Sequence, residues 1–541
     1  MINAATHHTT EERLDIAIIG AGWAGMYMLY RARLLGLKAR VLEAGPEVGG
    51  TWYWNRYPGL RCDVESLDYS FSFSDELQQE WNWTERFSTQ EEILRYAHFV
   101  AEKFDLRRDI QFNTRIVSAQ FNDETRLWDI NTENGQTFTA LNYVMATGCL
   151  SVPKEPDITG LENFQGKIYH TTDWPKEGVD FTGKRIAVVG TGSSGIQVIP
   201  ILAEQAEHLS VFQRTPSFSL PAFNAPIDPE YVQVLKAHYP AHRRHARENS
   251  FGGIPFISYD RSALDVSPAE RWRIYQELYS RGAPFAFQSA FNDLLVDAEA
   301  NQTAVDFVAE KIRLKVKDPA VAELLIPAGQ HIATRRLCID TQYYETFNRD
   351  NVSLISIKHT PIERIVANGI QTSAKLHEFD CIVFATGYDA ITGALLKVDI
   401  RGEKGLSLRE KWADGPRSNL GVMIAGFPNL FTVTGPGSPA VFSNMFVSIE
   451  QHVDWIANCI AYVREQGKTH IATSEEAESA WLQHINELAA HTLFPQSTSW
   501  YMGDNIPGKP RAFMAYIGGV GNFRKTCDQV AASGYQGFVL D

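Results

Sequence analysis

Two glycine-rich turns carry the plainest chemistry in the chain. The first is Gly20-Ala21-Gly22-Trp23-Ala24-Gly25 and the second is Gly190-Thr191-Gly192-Ser193-Ser194-Gly195. Both read GxGxxG. Glycines at this spacing let backbone amides approach a pyrophosphate that a Cβ would hold away. A helix starting on the turn adds the positive end of its dipole. The residue that ends the following strand reads the adenosine ribose. After the first turn this is Glu43, which accepts from 2′- and 3′-hydroxyls and repels a 2′-phosphate, so the first site is expected to take FAD or NAD. After the second turn it is Arg214 with Thr215. A guanidinium and a hydroxyl suit a 2′-phosphate, so the second site is expected to prefer NADPH.

The surrounding elements fit these roles. Residues 14–19 are a short apolar run, as in a strand buried on both faces, followed by a helical stretch over 26–35 and a second strand over 38–42. The unit recurs as a strand over 184–189, a helix over 196–206 and a strand over 208–212. One GxGxxG is weak evidence, whereas two in strand–turn–helix–strand context are strong. The expected class is α/β, with two Rossmann-like dinucleotide-binding units. Residues 222–330 turn charged and helical, with Asp228-Pro229, Ser267-Pro268 and Asp318-Pro319 as helix starts. Ser267 with Glu270, and Thr473 with Glu476, read as capping boxes.

Composition closes other routes. The chain has 541 residues, 44% hydrophobic and 21% charged, and a formal net charge of −14. An acidic chain without a basic block is a poor ligand for nucleic acid. No apolar run is long enough to span a membrane. The polar start, Met1 to Arg13, lacks an apolar signal core, and the pair His7-His8 is too short for a tag. A cytoplasmic protein is expected, and a monomer. The six cysteines (Cys62, Cys149, Cys338, Cys381, Cys459, Cys527) form no CxxC and show no zinc spacing. A disulfide reductase would need a redox-active cysteine pair, so electrons must go to O2, a small substrate or a partner protein.

Gly49-Gly50 after Glu43, and the two triplets Ala146-Thr147-Gly148 and Ala385-Thr386-Gly387, make the start of the chain resemble that of two-dinucleotide flavoproteins. Two longer segments are more specific. Phe164, Gly166, His170 and Trp174 fit FxGxxxHxxxW, and residues 49–63 run GGTWYWNRYPGLRCD. In these the chain resembles the Baeyer–Villiger monooxygenases, flavoenzymes that convert ketones to esters or lactones. The likeness extends over essentially the whole length, through stretches such as Gly435-Pro436-Gly437-Ser438-Pro439 and Ser448-Ile449-Glu450-Gln451-His452.

The resemblance implies the rest. FAD, held by Gly20, Gly22, Gly25, Glu43, Gly50, Thr51, Trp52 and Asp63, would be reduced by NADPH held by residues 190–195, Arg214, Thr215 and Arg335. O2 would then form a flavin C4a-peroxide, stabilised as its anion by Arg336, with Asp63 orienting the guanidinium and NADP+ shielding it from water. An arginine suits because it does not lose its proton. Trp500 would close over cofactor and substrate. Pro439, Ala440, Val441 and Phe442 would line the pocket. His170 and Trp174 fit a hinge or structural role at least as well as a chemical one. The implied division is 1–140 with 387–541 for FAD, 150–221 with 331–380 for NADP, and 222–330 as a helical insertion. Two other functions stay open: an N- or S-oxygenating flavin monooxygenase, and an electron-transfer flavoprotein reductase.

Overall fold

The computed structural model describes residues 13–256 and 259–541. The reading of the N-terminal segment as lacking an export signal falls almost wholly on residues 1–12, outside those described. Strand β1 (Arg13–Ile19) enters the first glycine turn, helix α1 (Trp23–Leu34) leaves it, and β2 (Ala39–Leu42) returns parallel to β1. The second unit repeats this with β3 (Arg185–Val189), α2 (Ser193–Gln205) and β4 (His208–Gln213), again parallel. Each helix begins about three residues earlier than the apolar periodicity suggests, because the turn's last three residues already form its first turn.

The first unit lies in an eight-stranded sheet. Beside β1 runs Thr137–Met145, whose far edge carries the antiparallel strands Leu127–Thr132 and Ile116–Asn122. Two strands from late in the chain join it: Leu430–Thr432 pairs with Thr137–Met145, and Asp399–Arg401 pairs with Ile116–Asn122. The second unit lies in a five-stranded, wholly parallel sheet. Its order is Val352–Ser356, β4, β3, Cys381–Phe384, Lys167–His170. The inner parallel strands β1, β3, β4 and Cys381–Phe384 are close to fully buried, as expected where helices cover both faces, whereas the outer strands alternate or are half-buried.

Between Pro221 and the strand Cys338–Asp340 the chain is helical, including Pro229–Ala237, Tyr239–Glu248, Pro268–Arg281, Pro284–Gln288 and Ala298–Lys315. Asp228, Ser267 and Asp318 cap their helices by accepting first-turn amide protons. The Ser267–Glu270 box is made only in the forward sense, and the Glu270 carboxylate pairs with Arg261 and Arg273. At the later helix (Glu475–Ala490) the cap is Ser474, not Thr473. Thr473 still belongs to a strand paired with Phe538, and its hydroxyl accepts from Asn419 at 2.9 Å, so it is not free to cap. Trp481, Ile485 and Ala489 of that helix are buried as its apolar stripe requires.

The six cysteines are buried and free. Among the described residues no helix is long and apolar enough to cross a membrane.

Candidate active site

The two glycine turns are built alike. Gly20 and Gly190 have φ of +102° and +115°, and a Cβ on either would stand 2.8 Å or 2.4 Å from the carbonyl oxygen of Ala146 or Ala385. Those two alanines open the two Ala-Thr-Gly triplets, so each triplet packs its strand end against the first glycine of its own turn. Gly25 and Gly195 close the turns, where a Cβ would collide with the carbonyls of Gly20 and Gly190. The middle glycines cap the helices with nearly the same backbone, φ/ψ −77°/−169° at Gly22 and −81°/−167° at Gly192. Neither helix start receives a side-chain cap, which leaves first-turn amides for a ligand. A Cβ on Gly22 would meet the Gly50 backbone at 3.5 Å, and one on Gly192 would meet nothing within 4 Å. Both turns fit a pyrophosphate.

Glu43 is buried at the end of β2, where its Oε2 accepts from the Ala21 amide at 2.6 Å and its Oε1 from the Gly45 amide at 2.7 Å. Burial raises its pKa, and those amides and Arg115 pull it back. The carboxylate stands at the first turn with lone pairs left for ribose hydroxyls. Trp52 is buried and donates from Nε1 to Tyr69 Oη at 3.1 Å, whereas Thr51 and Trp54 are exposed.

At the second turn Ser193 and Arg214 are exposed, and Thr191 donates to the Thr215 carbonyl at 3.3 Å. Arg335 donates from Nε to the Thr498 carbonyl at 2.7 Å. Its pKa is lowered by burial and then by Arg214, and Lys154 is lowered by the same two causes. Arg214, Arg335 and Lys154 thus share one neighbourhood that favours an anion. Lys154 carries no motif, and only the folded chain reveals it.

Arg336 and Asp63 meet at the centre. Nε donates to Oδ2 at 2.7 Å and one terminal nitrogen to Oδ1 at 2.8 Å, a bidentate pair. The other terminal nitrogen donates to the Val441 carbonyl at 2.5 Å. The guanidinium carbon lies 4.6 Å from the Phe285 ring centre. Burial alone would pull the Arg336 pKa down, but Asp63 outweighs it and the net shift is upward. The group is a permanent cation. The 439–442 segment therefore reaches the arginine through a backbone oxygen. Phe442 turns to stack on Tyr501, ring centres 4.3 Å apart, and Trp500 packs on Tyr501 at 4.0 Å. Phe285 comes from the helical stretch, where no motif marks it.

The second fingerprint lies elsewhere. His170 ends the edge strand of the five-stranded sheet and stacks on Phe384, while Trp174 is buried against Tyr169 and Phe181. A Cβ on Gly166 would stand 2.4 Å from the Asp380 carbonyl and 2.5 Å from the Phe164 ring. These four residues pack the second unit and are not among the groups touching Arg336.

A dinucleotide turn at each of two sheets, with a half-buried arginine–carboxylate pair, agrees with the relatives found. Residues 17–249 match the family model for pyridine nucleotide-disulphide oxidoreductases. A Baeyer–Villiger monooxygenase of Pseudooceanicola batsensis is 41% identical over 97% of this chain and 96% of its own. The chain belongs to the Baeyer–Villiger monooxygenase family. A phenazine N-monooxygenase of Lysobacter antibioticus is also 41% identical, over 97% of each chain. The solved structure of an oxidised steroid monooxygenase bound to NADP superposes with a TM-score of 0.94, at 49% identity, over 98% of this chain and 99% of that one. The resemblance read from the fingerprints is thereby shown at the level of the family.

Proposed function

We propose that this enzyme uses NADPH, O2 and FAD to convert a ketone to an ester or lactone. The observation that carries this reading is the half-buried, bidentate Arg336–Asp63 pair in a chain with two pyrophosphate-fitted turns. Gly20, Gly22, Gly25, Glu43, Gly50, Thr51 and Trp52 would hold FAD in the unit built from both ends of the chain. Residues 190–195, Arg214, Thr215 and Arg335 would hold NADPH in the unit between them. The bound cofactors supply hydride transfer and oxygen activation.

The chain's own residues decide what that chemistry yields. Attack on a ketone carbonyl needs an oxygen nucleophile kept as an anion. Arg336 supplies a fixed positive charge and does not give up a proton to quench it. Asp63 holds both nitrogens on one edge of the guanidinium, and Val441 holds the opposite edge, so the plane is set before reaction. The Phe285 ring lies against the guanidinium, 4.6 Å from ring centre to its carbon, and covers part of one face. Trp500, Tyr501 and Phe442 form an aromatic wall, and Phe442 limits the size of ketone admitted. A single chain acting in the cytoplasm fits this reading.

N-oxygenation is the second reading, favoured by the 41% identity to the phenazine enzyme. Panels of ketones and of aromatic amines, each with NADPH and air, separate the two. Ester from a ketone supports the first; efficient N-oxidation with no ester from any ketone overturns it.

A further inference from the structure

Gln197 lies in the first part of α2, the helix whose N-terminus would receive the NADP pyrophosphate, and it faces the fingerprint loop 57–63. Its amide is used at both ends. Tyr57 Oη donates to Gln197 Oε1 at 2.9 Å, and Gln197 Nε2 donates to the Arg61 carbonyl at 3.1 Å. Between those contacts the loop backbone presses on the helix. Gly59 has φ +84°, and a Cβ there would stand 2.5 Å from the Gln197 carbonyl oxygen. Tyr57 is buried in the apolar core of the second unit, together with Ile196 and Ile199 of α2. Arg61 is itself fixed, pairing with Glu85 and donating to the Phe87 carbonyl at 2.9 Å. Two residues on is Asp63, which orients Arg336.

We propose that Gln197 is a positioning residue: it locks the Asp63-bearing loop to the nucleotide-binding helix, so that the Arg336–Asp63 pair is held in register with bound NADP. The proposal rests on the function proposed above. The neutral amide offers Tyr57 an acceptor and the Arg61 carbonyl a donor at once, which neither a carboxylate nor an alkyl side chain does. The Gln197 contacts bear on the arginine side of the site and not on hydride transfer, which needs only nucleotide and flavin. Loosening the loop therefore changes where the electrons go. In coupled turnover, ketone + NADPH + H+ + O2 gives ester + NADP+ + H2O. In uncoupled turnover, NADPH + H+ + O2 gives NADP+ + H2O2, with both electrons left on the peroxide and the ketone unchanged.

The test uses the full-length, FAD-loaded enzyme. Anaerobic flavin reduction by NADPH is timed first. Oxygenated product per NADPH is then measured beside H2O2, with the best substrate of the ketone and amine panels. Gln197→Leu, near in size but without polar atoms, is expected to reduce flavin within about twofold of wild type. Its product per NADPH should fall at least fivefold, balanced by H2O2. Gln197→Glu and Tyr57→Phe each cut one bond and should fall between. Tyr57→Phe added to Gln197→Leu should cost nothing more. Wild-type coupling in Gln197→Leu would overturn the proposal. So would reduction rate, coupling and Tm falling together while Tyr57→Phe stays like wild type. If Gln197→Leu yields no folded enzyme, the two single-bond variants carry the same ratio. A wild type that makes only N-oxide defeats the ketone assignment and leaves the Gln197 ratio measurable. A wild type that makes no oxygenated product defeats both.

Discussion

Arg336 and Asp63 stand 273 residues apart in the chain and meet through two parallel hydrogen bonds, at 2.7 Å and 2.8 Å. Asp63 comes from the loop after the first glycine unit, and Arg336 comes at the end of the helical stretch. Their pairing therefore requires both nucleotide units and the intervening helices to be in place. With burial opposing the charge, the carboxylate is what keeps the guanidinium charged and aimed.

Removing the arginine should separate the two halves of the reaction. Arg336→Ala is expected to accept hydride from NADPH at close to the wild-type rate and to make ester far more slowly. Loss of one preorganised donor of this kind costs about 10²–10³-fold in rate. Arg336→Lys keeps the charge but loses the two-pronged fit to Asp63, and should retain only a small part of the activity. Stopped-flow reduction and product analysis on the same preparations check both halves. Normal ester formation by Arg336→Ala would remove the arginine from the mechanism.

Arg214 should read the 2′-phosphate. A charge-assisted hydrogen bond contributes about 1.5–3 kcal/mol, so Arg214→Ala is expected to weaken kcat/KM for NADPH by roughly 10–100-fold. NADH, which lacks that phosphate, should be nearly unaffected. Arg335→Ala and Lys154→Ala should shift the same ratio by smaller factors, because Arg335 and Lys154 also hold the Thr498 and Asn505 carbonyls. An unchanged NADPH/NADH ratio in Arg214→Ala would place the phosphate elsewhere.

Phe442 should set the size limit of the pocket. It stacks on Tyr501 and packs on Phe494 and Phe513. Phe442→Ala is expected to raise kcat/KM for bulky cyclic ketones relative to acetone by about tenfold or more, the range available to an apolar pocket wall. A constant ratio across the ketone series would show that this ring does not border the substrate.

His452 makes one pH prediction. It is fully buried, its Nδ1 accepts from the Thr434 amide at 2.9 Å, and burial pushes its pKa down to about 3. The unfolded chain binds a proton near pH 6.5, and the folded chain does not until about pH 3. The neutral ring's contribution is therefore complete above pH 6.5 and is lost as pH falls toward 3. Between pH 7.5 and 5.5 this site should cost on the order of 1 kcal/mol. His452→Gln keeps an acceptor for Thr434 and removes the titration. Its unfolding free energy, from denaturant curves at both pH values, should fall by about that much less than wild type's. Equal losses would refute the assignment.

The glycine units were legible because their residues are fixed by sterics that the sequence displays. No side chain fits where Gly20 meets Ala146 or Gly190 meets Ala385. Arg336 and Asp63 were legible only through family likeness, since a dibasic pair and a turn aspartate carry no signal of their own. Phe285, Lys154 and Gln197 were not visible at all, because each gains its role from a contact across units that no local pattern encodes. At Val441 the sequence points to a side-chain wall, whereas a backbone oxygen makes the bond. Thr473 looks like a cap in the sequence but is not one, because the strand that claims it pairs with the far C-terminus.

The central claim is that one atom of O2 enters a ketone. Incubating the FAD-loaded enzyme with NADPH, a small ketone such as acetone or cyclohexanone, and ¹⁸O2 tests it directly by mass spectrometry. The account predicts an ester or lactone carrying one ¹⁸O atom, formed nearly one for one with NADPH consumed. NADPH consumption that yields only labelled hydrogen peroxide, with every ketone recovered unchanged, would contradict it.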